Sequence, residues 1–323
     1  MCPDLSEIKV EGNDAEVDSL VACIRAAIIY WGRDYEYDYV AGLSGSAFSP
    51  VRHEDESCAA WWTEFGNDSR MEFLGKALGF TAKKSPAMSG RDFEKKGELS
   101  DELAGFWKQV REAVLEGKVV MIGAWPLWSI ITRWDDDIEK MGIASVSVGC
   151  DICRPSHLDT VYILTPCAAS ITRMEAIAEA IRFGADAADG TFRRPGFQYG
   201  GKLYDAILKR LERDIFCEDC GERSCNCAWR TMVRIQGIAG SAVRFLRFAG
   251  EFMGKRLPRQ ALDVVIGGYD TIAQTSGMYT DRTTICEKWG DPEFKTEFTS
   301  GVQAMKVAHK DASVIFRRLA QGL

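Results

Sequence analysis

The chain has 323 residues, of which 46% are hydrophobic and 27% are charged, so it can bury a full core as one large or two modest globular domains. Its net charge of −7 argues against binding to a nucleic-acid backbone, because phosphate contacts need a basic face. No run of about 18 apolar residues occurs, and the start lacks the basic and then apolar order of a signal peptide. We therefore expect no membrane insertion and a cytoplasmic location.

The eleven cysteines are a large number for a cytoplasmic protein. Their odd count and irregular spacing are a poor match for the disulfide framework of an extracellular domain. Metal binding or thiol chemistry is therefore the first interpretation of these residues.

The stretch around Cys23 is predicted to form a helix over residues 18–31. Asp18 or Ser19 can cap this helix, apolar residues recur along it at helical spacing, and Gly32 can end it. Near the helix start, unpaired amide groups and the positive end of the peptide dipoles favour a thiolate, which makes Cys23 a candidate nucleophile. The alternative is that Cys23 is a small apolar residue packed beneath a buried helix.

Up to about residue 190, the pattern predicts a mixture of helices and strands. A short helix at residues 34–42 precedes a glycine-rich segment, in which Gly42 and Gly45 allow the backbone to approach a ligand or a neighbouring element closely. Further helices are expected at 71–78, 99–116 and 173–187, and strands at 80–83, 119–123, 144–151 and 160–165. Turn residues separate the last two strands, which predicts a hairpin.

Beyond residue 190 the spacing of apolar residues predicts helices only, at 201–216, 228–254, 257–275 and 294–321. The segment 228–254 has too many apolar residues to stand alone in solvent. We therefore expect an α+β domain over residues 1–190 and a helical domain over residues 191–323 packed on it, with a cysteine-rich loop at 217–227. Lysines and arginines cluster at 193–212 and 244–259, and we interpret both clusters as solvated helix faces.

Several short motifs resemble one protein family. Cys23 is followed by Tyr-Trp-Gly at 30–32 and by Tyr-Val-Ala-Gly-Leu-Ser-Gly-Ser-Ala-Phe at 39–48. These residues resemble the papain-like domain at the N-terminus of butirosin-biosynthesis H proteins and their uncharacterised bacterial relatives, a group similar to the bacteriocin leader peptidases. Val-Ser-Val-Gly-Cys-Asp at 146–151 and Val-Tyr-Ile-Leu-Thr-Pro at 161–166 are similar to its two central strands, and Tyr-Gly-Gly-Lys-Leu-Tyr-Asp-Ala-Ile at 199–207 is similar to a later helix start.

The resemblance implies a papain-like cysteine-protease-type fold, and an acyltransferase of small-molecule biosynthesis or a related amidase. It does not carry the family's catalytic triad onto this chain. The position of the family's base is occupied by Ile143, and the aspartate of its Asp-Pro pair is replaced by Thr165.

Two histidines remain as partners for Cys23, because a cysteine nucleophile needs a base within hydrogen-bond reach and a group that orients the base. His53 is followed by Glu54, matching a His-Glu pair of the uncharacterised relatives, and Glu54 or Asp55 could orient its ring. The alternative for His53 is an exposed histidine in an acidic loop. His157 lies in the predicted hairpin turn and could serve as the base or bind a metal. The remaining histidine, His309, is expected at the surface.

A second group of residues has the spacing of a metal site. Cys217, Cys220, Cys225 and Cys227 fall within eleven residues, and thiolates so spaced can surround a structural zinc ion tetrahedrally. Cys150 and Cys153, with His157 and Cys167, could form another site or join the first. The alternatives are reduced cysteines without a metal, or a disulfide. Nothing in the spacing favours an iron-sulfur cluster over zinc.

Together these observations predict a cysteine-dependent acyltransferase or amide hydrolase. Cys23 would attack a carbonyl carbon of a small-molecule or acyl-carrier substrate to form a thioester, while His53 or His157 moves the proton. The alternative, favoured by Ile143 and Thr165, is a non-catalytic protein that binds a ligand or a metal on a degenerate papain-like fold.

Overall fold

The computed structural model describes residues 5–10, 18–48, 51–53, 68–85, 101–124, 127–134, 141–145, 152–153, 158–190, 197–212 and 224–323. These residues form a mixed helix and sheet structure, in agreement with the predicted α+β class. The chain divides into two compact units. The first comprises residues 1–13, 18–40 and 66–172, and the second comprises residues 14–17, 41–65 and 173–323, so the division at residue 172 precedes the boundary predicted at residue 190.

The helices and strands are numbered here along the chain. The helices are α1 (Ser19–Tyr30), α2 (Tyr37–Ser44), α3 (Asp68–Leu78), α4 (Asp101–Leu115), α5 (Arg173–Ala188), α6 (Gly201–Glu212), α7 (Ser224–Met253), α8 (Arg259–Gly277), α9 (Arg282–Lys288) and α10 (Pro292–Gln321). The strands are β1 (Val51–His53), β2 (Phe80–Lys84), β3 (Val119–Ala124), β4 (Leu127–Trp134), β5 (Met141–Ser145), β6 (Ile152–Cys153), β7 (Leu158–Pro166) and β8 (Phe197–Tyr199).

Within the described part of the first unit, six strands form a sheet in the order β2-β7-β3-β4-β5-β6, and every neighbouring pair is antiparallel. Strand β3 lies inside this sheet, between β7 and β4, and begins with four consecutive buried apolar residues. Since side chains alternate between the two faces of a strand, both faces of β3 are covered.

The predicted hairpin between residues 144–151 and 160–165 is wrong. Strand β7 already pairs with β2 along one edge and with β3 along the other. A strand has only two hydrogen-bonding edges, so no third strand can join β7 over these residues. The residues Ala144 and Ser145 instead belong to β5, which pairs with β4 and β6.

Helix α1 begins where its cap was predicted. The carboxylate of Asp18 accepts hydrogen bonds from the backbone N–H groups of Leu20 and Val21, at 3.0 and 3.1 Å. At the other end, Gly32 has a φ of 76°, a left-handed conformation that glycine adopts without strain. The helix packs against β4, and the hydroxyl oxygen of Ser19 accepts a hydrogen bond from the N–H of Trp128 at 2.9 Å.

Arg33, which follows α1, joins two more elements of the first unit. Its guanidinium donates hydrogen bonds to the carbonyl oxygens of Leu78 and Gly79, at 2.8 and 2.6 Å, and of Cys167, at 2.6 Å. These carbonyls belong to the last residue of α3 and to the residues just after α3 and β7, where carbonyl groups lack a partner within the element. Arg33 therefore fixes the chain after α1 to the ends of both elements.

The second unit contains the long helices α7, α8 and α10, which pack together with α5 and α6. The glycine-rich segment at the end of α2 and just after it belongs to the core of this unit. A Cβ at Gly42 would overlap the ring of Phe245, and a Cβ at Gly45 would overlap the ring of Phe183. The close approach predicted for these glycines is therefore made to neighbouring helices. The short strands β1 and β8 also pair in this unit, with His53 opposite Phe197.

Candidate functional site

The predicted nucleophile, Cys23, is completely buried. It is the fifth residue of α1, and its side chain is 0% exposed. The N–H of Ala22 already bonds to the carbonyl of Asp18 at 3.1 Å, and the two preceding N–H groups are taken by the Asp18 carboxylate. The amide groups that were expected to stabilise a thiolate are therefore engaged before the chain reaches Cys23. This geometry agrees with the packed, apolar alternative for Cys23.

The predicted partners of Cys23 fall mostly outside the described residues. His53 ends β1 in the second unit, and its side chain is not part of the description. Glu54 and His157 also lie outside the described residues. The assignment of His53 or His157 as the base, and of Glu54 as the group that orients His53, therefore remains a prediction.

Ile143 and Thr165, the positions that the sequence resemblance aligned with a base and an aspartate, lie on separate strands of the sheet. Ile143 is in β5, opposite Ile131 of β4, and Thr165 is in β7, opposite Thr81 of β2. Strands β3 and β4 lie between β5 and β7. Neither residue type can accept a proton at neutral pH, so the sheet does not rebuild a triad at these positions.

One of the predicted zinc ligands forms a disulfide instead. Cys225, at the start of α7, forms a disulfide with Cys286 of α9, and their Cα atoms are 5.0 Å apart. A disulfide sulfur is not a thiolate, so Cys225 cannot contribute to a four-thiolate zinc site in this form. Cys227 is buried in the same helix.

The other predicted metal ligands remain predictions. Cys217, Cys220 and Cys150 lie outside the described residues, as does the side chain of Cys153 in β6. Within the described ranges, no group of three or more His, Cys, Asp or Glu residues is arranged to hold a metal ion.

His309 is buried, and its predicted surface location is wrong. Only 2% of the residue is exposed, and its Nε2 lies 2.7 Å from the carbonyl oxygen of Ala188 in α5. Its ring also contacts those of Tyr204 and Tyr269. The charged neighbours Lys310 and Asp311 suggested that His309 faces solvent. A helix packed on one face buries only one residue in three or four, so charged residues can directly follow a buried histidine.

Burial lowers the pKa of His309 below its ordinary value of 6.5, and the bond to Ala188 opposes this shift only in part. The unfolded chain therefore takes up a proton at a pH where the folded protein does not, so protonation favours unfolding. We expect the free energy of unfolding to fall as the pH drops below about 6.5, by at most about 1.4 kcal/mol per pH unit from this residue. Urea titrations at several pH values should show this loss in the wild type and a flatter profile in H309Q. Parallel profiles would contradict the neutral, buried histidine.

A cavity of about 570 Å³ lies in the second unit between α7 and α8. Its volume is within the range of sites that bind small organic molecules. The polar and aromatic residues that line it are Trp229, Gln236, Arg244, Arg247, Asp270 and Thr280. The remaining lining residues are small or aliphatic, and they include Gly237 and Gly240.

The helical repeat of α7 places these side chains together. Trp229, Gln236, Gly240, Arg244 and Arg247 follow one another at intervals of seven, four, four and three residues, which keeps them on one side of the helix. The arginines were predicted to form a solvated face. Both are exposed, and they also border the cavity together with Asp270 and Ala273 of α8.

The wall of the cavity is held by contacts outside α7. The indole N–H of Trp229 donates a hydrogen bond to the carbonyl oxygen of Thr280 at 2.8 Å, which fixes the ring. The guanidinium of Arg282 lies 5.6 Å from the centre of the same ring. The disulfide of Cys225 begins one turn before Trp229 and holds α9 against α7.

Comparison with known proteins does not assign the chain to a family. No model of a known protein family matches it, and no curated protein matches it significantly. Within the residues described, no helix is both long enough and apolar enough to cross a membrane.

Proposed function

We propose that this chain is a non-catalytic protein that binds a small molecule, and that its first unit is a degenerate papain-like domain. The observation that carries the proposal is the complete burial of Cys23 in the second turn of α1. Acyl transfer requires the sulfur to approach a carbonyl carbon to about 3–3.5 Å, which a sealed side chain does not permit. The cytoplasmic location predicted from the sequence remains part of the proposal.

The ligand-binding part of the proposal is supported by the cavity between α7 and α8. It combines two guanidinium groups, a carboxylate and an indole ring in a space large enough for an organic molecule. The rival proposal is the cysteine-dependent acyltransferase or amide hydrolase. It requires Cys23 to become accessible and an imidazole to reach it.

Thiol labelling of the native protein tests this proposal. We expect iodoacetamide to modify the exposed Cys167 and to leave Cys23 unmodified until a denaturant is added, because the reagent must reach the sulfur to react. Peptide mass spectrometry after timed labelling gives the extent of reaction at each residue, and Cys167 serves as the internal control.

A catalytic cysteine would give the opposite order. If Cys23 reacts faster than Cys167 at about pH 6, where only a thiol of low pKa is ionised, the non-catalytic proposal fails. In that case incubation with a small aryl thioester should add one more acyl group to the wild type than to C23A, as measured by intact mass. Equal numbers of acyl groups in the wild type and C23A support the non-catalytic proposal.

A further inference from the structure

We propose that the disulfide between Cys225 and Cys286 is a thiol–disulfide switch that controls the Trp229 end of the cavity. In the oxidised protein it holds α9 on α7, and in the reduced protein α9 opens and releases that end. The inference rests on the proposed function, because it names the regulation of the same cavity. Its basis is the position of the disulfide beside the contacts that fix Trp229.

Helix α9 is too short to keep its place without help from its neighbours. It has seven residues and, among the described elements, packs chiefly on α7. Ile285 is buried, and the guanidinium of Arg282 donates an exposed hydrogen bond to the side chain of Asn226 at 2.9 Å. A helix of this length is not stable by itself in water, and one exposed hydrogen bond adds little to it. Loss of the covalent link therefore lets α9 open far more often.

Opening of α9 reaches the cavity through two residues near its start. Thr280 lies two residues before α9, and its carbonyl oxygen accepts the hydrogen bond from the indole N–H of Trp229 at 2.8 Å. Arg282, the first residue of α9, has its guanidinium 5.6 Å from the centre of the same ring. Trp229 and Thr280 both line the cavity. When α9 leaves α7, Trp229 loses both contacts, so this wall of the cavity no longer has one fixed position.

The two sulfurs are placed for exchange with a small thiol such as glutathione. Cys286 is partly exposed whereas Cys225 is 3% exposed, so an incoming thiolate reaches the sulfur of Cys286. It forms a mixed disulfide with Cys286 while the bond between the protein sulfurs breaks, and Cys225 leaves as a thiolate that takes up a proton. A second small thiol attacks the mixed disulfide. The protein thereby gains two thiols, and two small thiols are oxidised to one disulfide.

The position of Cys225 favours this direction of attack. It is the second residue of α7, and the backbone N–H groups and peptide dipoles at a helix start stabilise a thiolate. Exchange is faster when the departing sulfur is a stable thiolate, and disulfides with an exposed sulfur are the more readily reduced ones. We therefore expect this disulfide to be reduced in the folded protein.

The first experiment measures the redox state of the native full chain. The protein is equilibrated in glutathione buffers from mostly oxidised to fully reduced, and free thiols are then blocked with N-ethylmaleimide. Peptide mass spectrometry gives the fraction of Cys225 and Cys286 that remains in the disulfide. We expect that fraction to fall to near zero while circular dichroism still shows the folded protein. A disulfide that survives fully reduced glutathione until a denaturant is added is structural, and the switch is then excluded.

The second experiment measures the opening of α9 by hydrogen exchange and mass spectrometry. Labelling for seconds to minutes reports local opening, because amides that exchange only by global unfolding are not yet labelled. With tris(2-carboxyethyl)phosphine, we expect residues 279–289 to exchange roughly 10-fold faster or more, and residues 262–272 of α8 to be unchanged. C286S should exchange like the reduced wild type with or without the reductant. The matched control, C167S, keeps the disulfide and should respond as the wild type does.

The third experiment tests the link to the cavity without a ligand or a reductant. Hydroxyl-radical footprinting of the oxidised wild type and of C286S measures the accessibility of the Trp229 side chain, and Trp31 of the first unit serves as the reference. We expect oxidation of Trp229 to increase in C286S and that of Trp31 to stay the same.

The opposite results overturn the inference in distinguishable ways. Equal exchange of residues 279–289 in the oxidised and reduced proteins would show that the disulfide does not hold α9. Faster exchange there with unchanged oxidation of Trp229 would show that α9 opens without affecting the cavity. Neither result depends on Cys23, whose labelling tests the non-catalytic proposal separately.

Discussion

Replacing Phe48 by alanine is expected to lower the free energy of unfolding by about 3–5 kcal/mol. Phe48 is 0% exposed, and its ring contacts those of Phe245, Phe316 and Tyr269 with centroid distances of 5.6, 5.0 and 6.2 Å. Alanine would leave a cavity among large rings that cannot all move inward, so the lost contacts are not replaced.

The packing around Phe48 limits this relaxation further. A Cβ at Gly184 of α5 would overlap the Phe48 ring, so the helix backbone already lies against it. The carbonyl of Phe48 also accepts a hydrogen bond from the hydroxyl of Tyr269 at 2.8 Å, and this bond holds the backbone in place.

Denaturant titration followed by circular dichroism measures the effect. The matched control is F252A, because Phe252 is 42% exposed and the same atoms are removed at the surface. We expect the control to lose less than about 1 kcal/mol. Equal losses in F48A and F252A would show that the aromatic cluster around Phe48 is not the core of the second unit.

Removing the disulfide is expected to have the second largest effect. We expect C286S to lower the free energy of unfolding by about 2–4 kcal/mol, because the bond between Cys225 and Cys286 closes a loop with a sequence separation of 61 and restricts the unfolded chain. The matched control, C167S, removes an exposed thiol that is not in a disulfide and should leave the stability unchanged.

A reducing agent provides an independent check on the disulfide. Tris(2-carboxyethyl)phosphine should lower the thermal midpoint of the wild type to that of C286S and should not change that of the variant. A wild type that the reductant leaves unchanged would contradict a stabilising disulfide. The measurement also bears on the predicted cytoplasmic location, since disulfides are rare in that compartment.

The stability of the wild type in the presence of a chelator distinguishes the disulfide from the predicted zinc site. Four thiolates at Cys217, Cys220, Cys225 and Cys227 would hold a metal that a chelator removes with a loss of stability. A disulfide at Cys225 predicts that a chelator has no such effect on the oxidised protein.

Local features of the structure were predictable from neighbouring residues. The limits of α1 follow from the Asp18 cap and from Gly32, and both act through bonds and conformations within a few residues. The long helices α7, α8 and α10 follow from apolar spacing for the same reason. The short helix α9 was missed, because seven residues carry too little of a periodic pattern.

Features that depend on distant residues were not predictable. Cys286 gave no sign of its pairing with Cys225, because the two sulfurs meet only when α9 packs against α7. The cavity arises in the same way. The arginine cluster is visible in the sequence, but the space beside it exists only once α8 packs against α7.

The sequence by itself determined the cap of α1, the approximate limits of the long helices and the mixed α+β class, because caps and periodicity act locally. Only the tertiary structure decided that Cys23 and His309 are buried, that Cys225 is bonded to Cys286 and that the strands at 144–145 and 158–166 do not pair. The physical reason is that burial, disulfide pairing and strand order depend on which elements pack together, and contacts between residues far apart in the chain set that packing.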